Sequence, residues 1–200
     1  GWVDTESMKH AIAATTCLAC IVGLPLVIFG GLEMLLVGML CVAFCFLYTT
    51  HLSYMGLGDV LVVLFFGVVP VCVTYYIQLH YVTLEAVSLS IACGLVIDAL
   101  LLVNNFRDRA TDRLAGKQTL VVRIGAGPSL WLYLATGIVA CLLGGIFVLH
   151  GRWLPFLLPL LYLPFHVWTY VQIRRIDHGR ELNRCLGSTS RNIFIYGVLL

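Results

Sequence analysis

Residues Asp98 to Leu120 hold the densest set of chemically capable side chains in the chain: Asp98, Asn104, Asn105, Arg107, Asp108, Arg109, Asp112, Arg113, Lys117 and Thr119. An apolar run leads into them with no helix breaker until Gly116. If the helix continues to about Asp112, a step of ~100° per residue puts Asp98, Asn104, Asn105, Asp108 and Asp112 within about 120° of one another. Carboxylates and amide oxygens one turn apart are hard ligands suited to Mg²⁺, which is commonly shared between a few carboxylates and substrate phosphates. Arg107, Arg109, Arg113 and Lys117 would hold phosphate oxygens around such a metal, arginine as a fork and lysine as a point charge. At the end of an apolar helix, a metal–diphosphate site suggests a lipid diphosphate substrate, with its tail between helices and its head on the acidic face. The plainer reading is a solvated run of mixed charge pairing at helical spacing, and spacing alone leaves both open.

The elements that must position these residues follow from composition. Of 200 residues, 60% are hydrophobic and 11% charged, against roughly 45–50% and about 25% in soluble domains. This excludes a soluble enzyme and a disordered chain, and the net charge of +2 gives no basic footprint for nucleic acid. Stretches of roughly 20 apolar residues are bilayer-spanning helices. Six qualify, at Ala11–Phe29, Leu32–Tyr48, Asp59–Ile77, Leu84–Val103, Leu130–Leu149 and Trp153–Val171, and Ile193–Leu200 begins a seventh. The runs are too uniformly apolar for barrel strands. The expected fold is an all-α, polytopic transmembrane helical bundle forming one domain over residues 1–200. Gly30-Gly31 and Gly125-Ala126-Gly127-Pro128 are turns, Asp59 reads as an N-cap, and Pro155, Pro159 and Pro164 should kink the sixth span.

Of the 12 lysines and arginines, all but Arg152 fall on one side of this topology. The positive-inside rule therefore places the N-terminus and the two basic loops in the cytoplasm. Seven of the eight cysteines lie in apolar spans and read as packing, Cys17 and Cys20 included. Asp98, about six residues inside an apolar span, costs about 2.5–3.5 kcal/mol on insertion scales; it reads as a cavity residue (substrate hydroxyl, proton or support of another site residue) or as a structural hydrogen bond. His166 reads as a satisfied structural histidine, and Glu33 and Glu85 as helix-start charges. Tyr48, Tyr75, Tyr76 and Trp168 read as packing or interfacial belt first, and as a cation–π shield second.

The run Asn104-Asn105-x-Arg107-Asp108-x-x-x-Asp112-x-x-x-Gly116-Lys117-x-Thr119-Leu120-x-Val122-Arg123-x-Gly125 resembles the second aspartate-rich motif of the UbiA-type intramembrane prenyltransferases, most closely their 1,4-dihydroxy-2-naphthoate polyprenyltransferase branch. Tyr48-Thr49, Gly56-Leu57-Gly58-Asp59, Phe65-Phe66-Gly67 and Thr74-Tyr75-Tyr76 agree with it, and the likeness covers essentially the whole chain. The resemblance implies a bacterial inner-membrane enzyme with its active-site loops in the cytoplasm. Its implied partners are a polyprenyl diphosphate, 1,4-dihydroxy-2-naphthoate and the lipid bilayer, and its implied cofactor is Mg²⁺. Asp108 and Asp112, with Asn104, would hold the metal; Asn105, Asp98, Arg107 and Lys117 would serve catalysis; Asn104, Arg109, Arg113 and Arg123 would bind the diphosphate. The naphthoate ring would take the prenyl group and lose its carboxylate as CO₂, giving demethylmenaquinone. The family has nine helices and a first acidic motif that these residues do not contain. The chain, which begins at Gly1, is thus expected to lack two N-terminal helices and to end within its last one. Transfer to another aromatic or lipid acceptor is the nearest alternative. A polytopic transporter is the rival of a different class, with no inverted repeat to support it.

Overall fold

A computed structural model describes residues 4–200, the side chain of Thr49 excepted. Gly1 and the first part of the expected N-terminal connection lie outside the described residues, as does Thr49's part in the resemblance. Among the described residues there are helices and no strands. In chain order they are α1 (Thr5–Gly23), α2 (Pro25–Gly30), α3 (Glu33–Thr50), α4 (Gly58–Val62), α5 (Val69–Leu79), α6 (Leu84–Leu114), α7 (Leu120–Ile124), α8 (Ala126–Leu143), α9 (Leu154–Leu160), α10 (Leu163–Ile176) and α11 (Leu182–Leu199). Six π-helical residues, Val63–Val68, join α4 to α5, and 3₁₀ turns follow α3 and α8.

Among the described residues, five stretches are long and apolar enough to cross a membrane: Thr5–Gly30, Gly58–Leu79, Leu84–Leu114, Ala126–His150 and Leu154–Ile176. The expected second span appears as a shorter apolar helix, Glu33–Tyr48. The proline-rich span is broken as expected, because α9 ends at Leu160 and α10 restarts at Leu163 with Pro164 in its first turn. The last helix differs from expectation: it starts at Leu182 rather than Ile193. Its turns before Ile193 carry Asn183, Arg184 and Arg191 and so have no hydropathy signal, yet one side of them is buried at Leu182, Cys185, Thr189 and Asn192.

α6 is the central element, packed against the π-helical stretch, α5, α7, α8 and α11. Thr83 caps it by accepting from the Ala86 N–H at 3.2 Å. At 31 residues it is about 46 Å long, more than the ~30 Å hydrocarbon core requires. Its last turns therefore stand clear of the apolar layer. The π-helical stretch crosses α6 at two glycines. A Cβ on Gly67 would collide with the Ser90 carbonyl, and one on Gly94 would lie 2.7 Å from the Val63 carbonyl oxygen.

The core on the far side of α6 holds a polar knot. His166 is fully buried. Its Nε2–H donates to the Tyr133 carbonyl at 2.8 Å, and its Nδ1 accepts the Tyr162 hydroxyl at 2.7 Å. The Tyr133 ring stacks on it at 4.5 Å, and the Tyr133 hydroxyl meets Thr189 at 3.1 Å. These bonds join α8, α10 and α11 and make His166 a satisfied structural histidine.

Candidate active site

The C-terminal end of α6 turns the motif back on itself. Gly116 (φ 72°) takes the left-handed position after the helix. The Lys117 N–H bonds the Asp112 carbonyl at 2.9 Å and the Gly116 N–H bonds the Arg113 carbonyl at 3.2 Å, the paired bonds of a Schellman end. This return places the Lys117 Nζ 3.8 Å from Asp112 Oδ1. The other Asp112 oxygen, Oδ2, is buried and has no hydrogen-bond partner.

One turn earlier, Arg107 gathers three partners. Its Nε and Nη2 bind the two oxygens of Asp108 at 2.7 and 2.6 Å, and Nη2 also reaches Asn104 Oδ1 at 2.9 Å. Its Nη1 donates to Asn183 Oδ1 on α11 at 2.8 Å. Bidentate pairing of this kind fixes the guanidinium plane.

The next loop docks by backbone. Thr119 caps α7 by accepting from the Val122 N–H at 3.3 Å, and the Gln118 N–H bonds the Tyr54 carbonyl at 3.2 Å. Gly56 (φ 71°) makes the approach possible, since a Cβ there would stand 2.7 Å from the Gln118 carbonyl oxygen and 3.0 Å from Arg123 Nε. The result is a narrow crevice whose walls include Tyr48, Gly58, Asp59, Asn105, Lys117 and Thr119. On the neighbouring side of α6 lies an open apolar groove of about 500 Å³, formed by Val62, Phe66, Ile97, Leu101 and Leu186 among others, with Asn104 and Ser190 as its polar members.

The predicted residues thus divide. Asn104, Arg107 and Asp108 form one network, and Asp112 with Lys117 forms another. Asn105 stands in the crevice with Lys117. Asp98 is buried two turns deeper on the same face, with Oδ1 unpartnered. Arg109 points elsewhere: its guanidinium bonds the Phe106 and Asp177 carbonyls and the Asp177 carboxylate, and covers the Phe106 ring at 4.2 Å. Arg113 is exposed, and Arg123 is exposed beside Gly56. Among the described residues, no three His, Cys, Asp or Glu side chains converge to hold a metal.

Of the four aromatic candidates, Tyr48 lines the crevice. Tyr75 and Tyr76 lie at the far end of α5 against Tyr81 and His80, and Trp168 is exposed on α10. Sequence reasoning missed two residues. Asp59 is no N-cap: it lies inside α4, 6% exposed, in the crevice wall, with Oδ1 unpartnered. Asn183 completes the Arg107 network from a helix whose start hydropathy hides. The signal for Asp59 was its position, a carboxylate opening an apolar span with no basic residue near it in sequence.

The site is thus a stripe of carboxylates and amides at the end of a long helix of a membrane bundle, flanked by guanidinium and ammonium groups and opening on an apolar groove. Residues 5–196 match the model of the UbiA prenyltransferase family, and the chain belongs to that family. It is 35% identical over 165 residues to the 1,4-dihydroxy-2-naphthoate octaprenyltransferase of Escherichia coli, covering 76% of this chain and 54% of that protein. The protein of the same name from Mycobacterium tuberculosis is 30% identical over 196 residues, covering 96% and 66%. Human UbiA prenyltransferase domain-containing protein 1 is 30% identical over 185 residues, covering 88% and 50%. The chain spans about half the length of the curated relatives it matches.

Proposed function

We propose that the protein transfers a polyprenyl group from a polyprenyl diphosphate to 1,4-dihydroxy-2-naphthoate, with loss of CO₂, in a bacterial inner membrane whose cytoplasmic side carries the α6–α8 loop. The observation that carries the reading is the pair of cavities flanking the end of α6. An apolar groove suits a prenyl tail, and its polar end at Asn104 leads straight into the Arg107–Asp108 network. The acceptor is taken from the names of the relatives.

Mg²⁺ fits the residues present. The free oxygen of Asp112 is buried without a donor, and the donors on that stripe are hard carboxylate and amide oxygens. Asp108 and Asp112 would hold the ion, with Asn104 and Asn105 orienting it or the phosphates. When bound, it would supply positive charge to a leaving diphosphate. One or two carboxylates suffice for Mg²⁺ when substrate phosphates and waters complete its coordination.

The chain's own residues have definite tasks. Arg107 and Lys117 present donors where the C–O bond of the allylic diphosphate breaks, stabilising charge that builds on the leaving oxygens. The groove excludes water from the allylic cation. The acceptor ring supplies the electron pair of the new C–C bond, and the pair of the bond to its carboxylate returns to the ring as CO₂ departs.

The test is direct. Membranes containing the full-length protein are incubated with a polyprenyl diphosphate, 1,4-dihydroxy-2-naphthoate and Mg²⁺, and the lipids are read by mass spectrometry. Demethylmenaquinol, read as such or as the quinone that air forms from it during extraction, supports the reading when it requires both substrates; its absence, with the protein present and folded, overturns it.

A further inference from the structure

The donors of Arg107, where α6 meets the start of α11, can be counted. A guanidinium carries five N–H groups and no acceptor. The Nε–H and the two Nη2 hydrogens go to Asp108 and Asn104, and one Nη1 hydrogen goes to Asn183 Oδ1 at 2.8 Å. The second Nη1 hydrogen is uncommitted. A partner that only donates also fixes the Asn183 amide. Its oxygen must face Arg107, so its NH₂ is turned away from it, and among the described residues that NH₂ has no partner. Asn183 is exposed. Asn104 is held through its oxygen by the same guanidinium, so its NH₂ too is left free at the polar end of the groove. The groove leads to this place on both helices. Asn183, Leu186 and Ser190 fall within about 60° of one another on α11, and Leu186 and Ser190 line the groove opposite Ile97, Leu101 and Asn104 of α6. The start of α11 is pinned as well: Arg109 of α6 donates to the Asp177 carbonyl at 2.7 Å and to its carboxylate at 3.0 Å.

We propose that Asn183 binds the diphosphate head of the lipid donor, its side-chain NH₂ donating to a phosphate oxygen beside the uncommitted Nη1 hydrogen of Arg107. The choice of a diphosphate rests on the prenyl-transfer reading above. Phosphate oxygens are acceptors, and hydrogen bonds to an ionised acceptor are the strong ones. Arg107 alone has one hydrogen to offer. The amides on either side of it, Asn104 from α6 and Asn183 from α11, bring the further donors and add no charge. The backbone does not supply them, because the first amides of α11 are spent inside the turn: the Asn183 N–H on the Arg180 carbonyl at 3.1 Å and the Arg184 N–H on the Glu181 carbonyl at 3.0 Å. The last helix thus closes the groove along the tail with Leu186 and Ser190 and holds the head with Asn183, and the Arg109–Asp177 pair keeps that end of it against α6.

The experiment titrates the full-length protein, in nanodiscs of zwitterionic lipid, with geranylgeranyl diphosphate and with geranylgeraniol, which has the tail and no phosphate. Asn183→Leu removes the amide, whereas Asn183→Asp keeps an oxygen for Arg107 and removes only the NH₂ donor. Arg184→Gln changes the charge of the same turn by the same one unit as Asn183→Asp. Asn183→Leu and Asn183→Asp should each weaken the diphosphate by about tenfold or more. Arg184→Gln should weaken it by less than about twofold, and all four proteins should bind the alcohol alike. Wild-type affinity in Asn183→Asp overturns the proposal, because Asn183 would then serve only to orient Arg107. So does an Arg184→Gln loss as large as that of Asn183→Asp, which would make the effect one of long-range charge. Wild-type affinity in Asn183→Leu overturns it outright, and so does an equal loss of the alcohol, which would assign Asn183 to the fold. Prenyl transfer is measured in parallel. Asn183-dependent diphosphate binding without transfer removes the enzyme reading and leaves the binding residue; transfer with Asn183-independent binding does the reverse.

Discussion

Asn104 and Asn105 are consecutive on α6 and line different cavities: Asn104 closes the polar end of the apolar groove, and Asn105 stands in the wall of the crevice with Lys117. A step of ~100° separates them. Each continues a stripe. Ile97, Leu101, Asn104 and Asp108 run down one side, and Asp98, Asn105 and Asp112 down the next. One helix therefore separates an apolar compartment from a polar one and supplies the charged end of both.

The groove should govern donor length. Leu101→Trp adds a large ring to its wall, and filled volume excludes a long tail first. The KM for a long polyprenyl diphosphate should rise at least about tenfold relative to that for a short one, a difference of ~1.4 kcal/mol. Steady-state kinetics with donors of two lengths measure this. An equal change for both places the tail elsewhere.

Arg107 should not tolerate lysine. Its fork spans both Asp108 oxygens while also reaching Asn104 and Asn183, and an ammonium cannot reproduce that plane. Arg107→Lys is expected to weaken polyprenyl diphosphate binding by about tenfold or more, given roughly 1.5–3 kcal/mol for a charged hydrogen bond. Filter binding of labelled donor reads the change; wild-type affinity would make Arg107 a purely structural tie.

Gly94 should be a packing requirement. A Cβ there would stand 2.7 Å from the Val63 carbonyl oxygen and 2.8 Å from the Val63 Cα, both of them backbone atoms that cannot swing aside. Gly94→Ala should cost about 1–3 kcal/mol as an overpacked site. Because the crossing sets the position of α4, it should also weaken the crevice that Asp59 lines. Thermal unfolding in detergent checks the first effect. A variant as stable as the wild type would show that the crossing has slack.

Much of this is legible in the sequence. The stripe on α6 follows from helical periodicity, and the break near Leu161 follows from three prolines. His166 as a structural residue follows from its apolar surroundings. Three features were hidden for physical reasons. The π-helical residues Val63–Val68 have ordinary apolar side chains, and only the later contact of Gly67 with Ser90 and Gly94 explains their register. The start of α11 is polar on its outer face, so hydropathy detects only its last turns. Asp59 follows a glycine, as helix caps often do, yet the 3₁₀ turn Leu52–Met55 and Gly56 carry the chain so that Asp59 is drawn inside. Arg109 shows the converse: its charge and its place two residues from Arg107 suggest a shared phosphate role, while the fold spends it on Asp177 and Phe106.

The measurement that bears most directly on the account is a Mg²⁺ titration of prenyl transfer by wild type and Asp112→Asn in the full-length protein. Asp112 offers the one α6 carboxylate oxygen near Lys117 that is buried without a partner. The account predicts Mg²⁺-dependent transfer by the wild type, abolished by EDTA. In Asp112→Asn it predicts transfer reduced by about tenfold or more, partly recovered only at higher Mg²⁺, as expected when a metal ligand is weakened. Transfer by Asp112→Asn at the wild-type rate and with the wild-type Mg²⁺ dependence would contradict it.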